Sequence, residues 1–141
     1  MKNKSLLSIL FIFLILGKII GQTAPLDAVV GVWLSSEKDG KVQIYKQGDK
    51  YFGKIVWSKN PRKDIENPDD KLKSRELVGT VILNNFKFTG KSWEDGTIYD
   101  PKNGKTYSCI IKNTGANGLD IRGFVGISLI GRTTNWTRTT L

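Results

Sequence analysis

Short runs of strand-forming residues, divided by turn residues, follow one another from Val29 to the end of the chain. Valine, isoleucine, threonine and aromatic residues concentrate in these runs, and such residues pack well on a pleated sheet. The predicted strands cover residues 30–36, 41–46, 50–57, 78–83, 86–93, 96–99, 105–112, 118–125 and 128–138. This many strands in the 120 residues after position 21 favours a closed barrel, because closure removes exposed strand edges. The sequence therefore predicts an all-β fold, a small antiparallel up-and-down barrel of about eight strands.

Residues 1–21 have the features of a secretory signal peptide. Lys2 and Lys4 precede an apolar run from Leu6 to Leu16, and small glycines follow it. The run is shorter than the roughly 20 residues that span a bilayer, and Lys18 interrupts it, which argues against the alternative of an uncleaved anchor. We expect cleavage near residues 21–22, export to the periplasm or beyond, and one barrel domain over residues 22–141.

The sequence contains no histidine and a single cysteine, Cys109. The lack of histidine excludes Ser-His-Asp and Cys-His catalysis and all histidine-based metal sites. Cys109 has no partner for an intrachain disulfide and is expected to be a small buried side chain. Residues 64–70 contain acidic residues, but not with the spacing of a calcium loop. We therefore predict no metal site and no cofactor.

Pairs of carboxylates are the remaining option for acid–base chemistry. Asp100 together with Glu94 or Asp95 is a candidate pair for a glycan hydrolase, which needs two carboxyl groups about 5–10 Å apart. All three residues lie beside predicted turns, where acidic side chains bind nearby backbone amides. Turn formation is the preferred explanation, and no catalytic residue is predicted.

Residues 59–76 break the strand pattern, with two prolines and eleven charged residues in 18 positions. A segment of this length is either a functional loop or lid, or a solvated connector. We expect a helical turn near residues 69–75, with Asn67 as its N-cap and Pro68 in its first turn.

The net charge of +9 falls to +6 once the three lysines of residues 1–21 are removed. A basic protein is attracted to anionic envelope lipid or polysaccharide, although here the basic residues form no continuous run. Aromatic and basic residues interleave as in oligonucleotide-binding barrels. Most of the aromatic residues occupy alternating strand positions typical of a core, and we predict no nucleic-acid partner.

The last predicted hairpin contains two arginines, Arg122 and Arg132. A three-residue turn at residues 126–128 would place them opposite each other, and they would then require a carboxylate or a bound anion between them. A two-residue turn would instead pair Arg122 with Gly131. An arginine satisfied by backbone carbonyls or an aspartate is the alternative to a ligand contact.

Both ends of the chain carry motifs of known barrels. Gly31-x-Trp33 and Trp136-Thr137-Arg138 resemble the lipocalin-type barrels, in which an arginine near the final strand covers the tryptophan at the closed end. Further motifs are Tyr51-Phe52-Gly53-Lys54-Ile55-Val56-Trp57, Asn67-Pro68, Leu72-Lys73-x-Arg75-x-Leu77-x-Gly79, Trp93, Gly96-x-Ile98-Tyr99-Asp100-Pro101-x-x-Gly104-Lys105-x-Tyr107, Leu119-x-Ile121-Arg122-Gly123 and Gly131-Arg132-Thr133. Their order is similar to the bacterial exported family catalogued as domain of unknown function 2147. The resemblance implies a lipocalin-like domain with residues 59–76 over one barrel mouth, and it brings no established activity.

The first functional hypothesis is an exported, non-enzymatic module that binds a small amphipathic or anionic ligand in the barrel. The predicted ligand-binding residues are Tyr51, Trp57, Tyr99, Tyr107, Arg122 and Arg132. Trp33, Trp136 and Arg138 are expected to seal one barrel end, with Arg138 over an indole face. The alternatives are a structural or stress protein of the envelope with a filled barrel, and the carboxylate-based glycan hydrolase. A ligand-sized cavity favours the first hypothesis, and two converging carboxylates would favour the hydrolase.

Overall fold

Consecutive strands pair antiparallel, and the last strand pairs with the first, so that the sheet closes into an eight-stranded barrel. A computed structural model describes residues 25–141, and the predicted signal peptide lies outside these residues. The strands are β1 Gly31–Leu34, β2 Gly40–Gln47, β3 Lys50–Ser58, β4 Val81–Phe88, β5 Trp93–Asp100, β6 Lys105–Asn113, β7 Gly118–Phe124 and β8 Gly131–Thr139. Within residues 25–141, no helix has the length and apolar character needed to cross a membrane. The predicted all-β, up-and-down barrel is confirmed.

The middle of the barrel differs from the predicted strands. The runs at 78–83, 86–93 and 96–99 correspond to only two strands, β4 and β5, which meet at the hairpin turn of residues 89–92. The two asparagines at 84 and 85 do not end β4, because Asn85 adopts a positive φ of 62° and the strand continues. Asp95 does the same in β5, at a φ of 60°. Turn-forming residues therefore mark irregular positions inside strands here.

One barrel end is closed by the segment that precedes β1. Val29 is fully buried, and its carbonyl accepts a 2.8 Å hydrogen bond from the Trp33 indole. The Arg138 guanidinium lies 4.3 Å from the centre of the Trp33 ring and donates to the carbonyls of Ala28, Val30 and Ala116. Arg138 thus lies over the indole face of Trp33 and binds three carbonyl groups. These contacts hold the segment before β1 and the end of β8 together at one barrel end.

Gly31 makes this arrangement sterically possible. Its φ is 143°, and a Cβ at this position would run into the Arg138 guanidinium. The Gly-x-Trp spacing thus leaves room for the arginine while its tryptophan fills the barrel.

Residues 59–76, which we call the lid, lie at the other barrel end. Asp64 is fully buried in the lid, and its carboxylate accepts hydrogen bonds from Tyr99, Asn67 and Arg75. The lid also forms an isolated bridge between Lys63 and Glu76.

The expected helical turn is present as a 3-10 helix at Asp70–Leu72, but its predicted N-cap is wrong. Asp69 caps the helix by accepting a bond from the amide of Lys71. The Asn67 side chain instead accepts a bond from the Asp69 amide and donates to Asp64. The N-cap of the helix lies two residues later than predicted, because the side chain of Asn67 is hydrogen-bonded to the buried carboxylate of Asp64.

Candidate ligand cavity

A cavity of about 810 Å³ occupies the barrel end opposite Arg138. Drug-sized ligands occupy pockets of roughly 300–1,000 Å³. Apolar side chains form its walls: Val42, Ile55, Ile82, Ile98, Ile121 and Trp136 from the strands, and Leu77 from the segment before β4. The interior at this end is therefore open, unlike a barrel filled by its own side chains.

Charged and polar side chains surround the mouth of the cavity. Lys102 pairs with Glu37 and lies 3.7 Å from a carboxylate oxygen of Asp39. The hydrogen bond to Glu37 raises the pKa of Lys102, and the hydroxyl of Ser35 lowers the pKa of Asp39. The ammonium thus offsets only one of these two carboxylates, and the group at the β1–β2 and β5–β6 turns keeps an excess of negative charge.

Two arginines at the mouth have no such compensation. Arg62 and Arg132 both line the cavity, and neither is within salt-bridge distance of a carboxylate among residues 25–141. Arg62 donates to the carbonyl of Pro101 at 3.1 Å, which fixes its guanidinium above the β5–β6 turn. The guanidinium groups of both arginines therefore have N–H donors that can bind an anionic group at the entrance of the cavity.

Asp64 connects the lid to the cavity wall. The hydroxyl of Tyr99, whose ring lines the cavity, donates to Asp64 at 2.5 Å, and Arg75 binds the other carboxylate oxygen through two nitrogens at 2.9 Å. Burial alone would raise the pKa of Asp64, but the bonds from Tyr99, Asn67 and Arg75 outweigh it and hold the pKa below its ordinary value. Burial and the adjacent carboxylate raise the pKa of Tyr99 to about 12. The phenol therefore remains a donor at every physiological pH.

Four of the six residues predicted to bind a ligand line the cavity: Trp57, Tyr99, Tyr107 and Arg132. Trp57 is 40% exposed at the rim, with the Lys41 ammonium 5.5 Å from its ring centre. Tyr107 accepts a bond from the side chain of Asn103 at 3.0 Å.

The prediction for Tyr51 is wrong, because this residue belongs to the closed end. It is buried at the start of β3, and its hydroxyl donates to the Leu26 carbonyl and the Asp27 carboxylate. Desolvation together with the bond to Asp27 raises its pKa to about 12. Since β3 runs from the closed end to the mouth, Trp57 near its end lines the cavity rim and Tyr51 at its start does not.

Both predicted registers of the last hairpin are wrong, and Arg122 does not reach the cavity. Arg122 pairs with Thr133 and Gly123 with Arg132, because the β7–β8 connection is longer than a two- or three-residue turn. The two arginines therefore lie on opposite faces of the sheet, Arg132 at the mouth and Arg122 outside. Arg122 donates to Thr133 and to the carbonyls of Ser128 and Leu129.

Trp136, which was predicted to help seal the closed end, is buried and forms part of the cavity wall. Arg138, two residues further along β8, covers Trp33.

Sequence reasoning missed three residues of this site: Asp64, Arg62 and Lys102. Each is held in the site by a contact with a residue far away in the chain, such as the hydrogen bond of Asp64 with Tyr99 and the ion pair of Lys102 with Glu37. The only local signal for Asp64 and Arg62 was the unusual density of charge in residues 59–76, and Lys102 lies outside that segment.

The structure does not bring the candidate hydrolase carboxylates together. Glu94 accepts bonds from Thr89 and Ser92 at the β4–β5 turn, whereas Asp100 accepts the amide of Lys102 at the opposite end of β5. Five or six strand residues span about 15–20 Å, well beyond the separation that glycoside hydrolysis requires. Residues 25–141 also contain no cluster of three or more acidic or cysteine side chains placed to hold a metal ion.

Cys109 is buried on β6, as expected. Desolvation raises the pKa of its thiol to about 12, so that the nucleophilic thiolate is not formed near neutral pH.

A family model described as an uncharacterised protein conserved in bacteria, domain of unknown function 2147, matches residues 31–138. The chain belongs to this family. The fold is similar to a solved structure of protein HP1028 from the human pathogen Helicobacter pylori, described as belonging to the lipocalin family. The two chains are 23% identical, with a TM-score of 0.74 over 79% of this chain and 82% of that chain. This likeness shows a lipocalin-like barrel fold. No curated protein matches the chain.

In this member of the 2147 family, several motif residues dock the lid. Asn67 and Arg75 bind Asp64, Tyr99 donates to it from β5, and Gly104 lies against the Glu66 carbonyl. The spaced motifs therefore meet at one place, where the lid rests on the rim of the barrel.

Proposed function

We propose that this protein is an exported, non-enzymatic binding protein for a small amphipathic molecule. The apolar part of the ligand occupies the barrel, and an anionic group lies at the mouth. The observation that carries this proposal is an apolar-walled cavity of about 810 Å³ with two arginines at its entrance that pair with no carboxylate among residues 25–141.

The cavity walls favour an aliphatic or aromatic ligand body. Isoleucine, leucine and valine side chains surround the space, and Trp136 lies among them. Transfer of apolar surface from water into such a site contributes about 25 cal/mol per Å², so a ligand burying a few hundred Å² gains several kcal/mol. No wall residue offers a charge deep in the barrel, and the polar group of the ligand must remain at the rim.

The mouth favours an anion as that polar group. Arg62 and Arg132 present guanidinium donors, which form strong and often bidentate bonds with carboxylates and phosphates. Lys102 contributes less, because Glu37 and Asp39 already neutralise it. Carboxylate-headed and phosphate-headed amphiphiles both fit this arrangement.

Export is the second part of the proposal, and residues 1–21 support it. Their lysines, short apolar run and glycines are typical of a cleaved signal, and the remaining chain carries a net charge of +6. This charge favours residence beside an anionic envelope surface. Sequencing the N-terminus of protein isolated from cell envelopes tests this part, and an intact Met1 would contradict it.

Binding is tested by fluorescence titration, since Trp57 and Trp136 both line the cavity. A long-chain fatty acid and the fatty alcohol of equal length differ only in the head group. The proposal predicts that both bind, with the acid about tenfold tighter in the wild-type protein, as expected for one charge-assisted contact worth about 1.4 kcal/mol.

The double substitution Arg62→Ala and Arg132→Ala should remove the preference for the acid and leave alcohol binding unchanged. Lys112→Ala on the outer face of β6 is the matched control, because it removes a cation away from the cavity. Failure of both ligands to bind, or an acid preference that survives the double substitution, would contradict the proposal.

A further inference from the structure

The β7–β8 connection, residues 125–130, exposes four large apolar side chains at the cavity mouth. Val125, Ile127, Leu129 and Ile130 are 75%, 59%, 83% and 72% exposed. They lie within six consecutive residues, whereas most exposed apolar side chains elsewhere are isolated. We call this segment the apolar loop.

The apolar loop is held in its exposed conformation. Arg122 reaches from the outer face of β7 and donates to the carbonyls of Ser128 and Leu129 at 2.8 and 3.3 Å. A bond from the Ile130 amide to the Ile127 carbonyl closes a turn, and Gly126 takes a φ of 78°. These bonds draw the backbone toward the barrel and leave the apolar side chains in solvent, which costs hydration free energy unless another surface covers them.

Charge around the apolar loop favours an anionic partner. Residues 121–137, which include the loop and the strand segments next to it, contain two arginines, Arg122 and Arg132, and no acidic residue. Arg132 follows the loop directly and stands at the rim. Apolar side chains that protrude among cations are the features with which peripheral proteins enter the interface of an anionic bilayer.

The position of the loop connects this surface to the cavity. Val125 and Ile130 protrude into solvent and also line the cavity mouth. A surface into which the loop inserts would therefore lie directly against the entrance, so that an apolar molecule could pass between them without crossing water.

We infer that the apolar loop inserts into the surface of an anionic phospholipid bilayer and places the cavity mouth against the lipid. This inference extends the proposed function by naming the surface from which the ligand is taken or to which it is delivered. It relies on the export part of that proposal, because the bilayer surface meant here is one that faces the compartment to which the chain is exported.

Co-flotation with vesicles tests the inference. The chain beginning at Gln22 is used, since residues 25–141 contain the complete barrel and the apolar N-terminus would itself bind lipid. The wild-type protein should bind vesicles of phosphatidylcholine with phosphatidylglycerol, and bind phosphatidylcholine alone more weakly. Ile127→Ser together with Leu129→Ser should lower the apparent partition coefficient about tenfold or more, because two inserted side chains lose their burial.

Leu141→Ser is the matched control, because Leu141 is 80% exposed at the C-terminus, beyond β8 and away from the mouth. It should leave vesicle binding unchanged. Equal loss of binding in both variants, or no binding by the wild-type protein, would overturn the inference. A concentration-dependent dimer that the loop variant abolishes, without vesicle binding, would overturn it in favour of a second copy as partner.

The same loop variant should bind the fatty acid in solution as the wild-type protein does. Retained ligand binding with lost vesicle binding therefore separates this inference from the proposed function. If the loop variant lost fatty-acid binding as well as vesicle binding, the loop would not act on the membrane alone, and the inference would be overturned.

Discussion

At the scale of single residues, Asp64 is the side chain on which the order of the lid depends. Its carboxylate is fully buried and receives bonds from Tyr99 on the barrel and from Asn67 and Arg75 within the lid. A buried charge is stable only with such partners, and removing one member of a buried pair typically costs about 3–5 kcal/mol. Asp64 thus joins a charged, strand-free segment to the cavity wall.

This arrangement predicts a specific pH dependence. The pKa of Asp64 is lower in the folded protein than in the unfolded chain, so its contribution is complete above the ordinary carboxyl pKa of about 4. The contribution is lost as the pH falls through the folded-state value. Asp64→Asn should therefore lower the free energy of unfolding by roughly 2–3 kcal/mol at neutral pH, with a smaller difference from wild type below about pH 4.

Urea unfolding followed across this pH range measures the effect. Asp70→Asn is the control, because Asp70 is an exposed lid residue whose carboxylate pairs with the exposed Lys73. A difference between wild type and Asp64→Asn that stays constant with pH would show that the buried carboxylate is not the titrating group.

Residue roles were only partly predictable from the sequence. The pairing of Trp33 with Arg138 followed from the resemblance of short motifs at the two chain ends to the lipocalin-type barrels. Asp64 gave no such signal, because its Tyr99 partner is 35 residues away and acidic residues are common in solvated loops. A buried ionic contact becomes visible only when the fold brings distant segments together.

At the scale of elements, the lid and the β5–β6 turn form one docked unit. Arg62 binds the Pro101 carbonyl, and Gly104 packs against the Glu66 carbonyl with a φ of 73°. A side chain at position 104 would collide with that carbonyl, so this turn requires glycine for both space and conformation.

Gly104→Ala should therefore release the lid. We expect trypsin to cleave the lid after Lys71, Lys73 or Arg75 at least about tenfold faster than in the wild type, since proteolysis follows the population of the open form. Gly115→Ala is a close control, because Gly115 has a similar φ of 83° but open space around its Cβ position. Equal cleavage rates in the two variants would show that backbone strain, and not contact with the lid, is responsible.

Elements were predicted well where hydrophobic alternation is regular and poorly where turns are ambiguous. β2, β3 and β6 lie close to their predicted bounds, while β4 was divided at Asn84–Asn85 and β5 at Glu94–Asp95, which occur inside strands. The register of β7 and β8 was wrong because it depends on the length of a connection whose apolar residues resemble strand.

At the scale of the whole molecule, the barrel combines a sealed end, an open cavity and a lid. The number of predicted strands indicated closure, and the resemblance of the motifs to known barrels implied the lipocalin-like fold. The sequence offered a ligand cavity only as one of three hypotheses, because the cavity volume depends on register, on bulges and on which large side chains pack at the sealed end. Trp33, Trp93 and Phe86 are fully buried, while the cavity at the mouth end remains open.

The claim that the barrel interior holds a ligand is tested most directly by native mass spectrometry of protein isolated from its own envelope. Thr134→Trp fills the cavity from its wall, and Thr137→Trp adds the same bulk on the exposed outer face of β8. The account predicts an amphipathic adduct of constant mass on the wild-type protein and on Thr137→Trp, with at least about tenfold less adduct on Thr134→Trp. Repeated preparations without adduct, or an adduct that persists in Thr134→Trp, would contradict it.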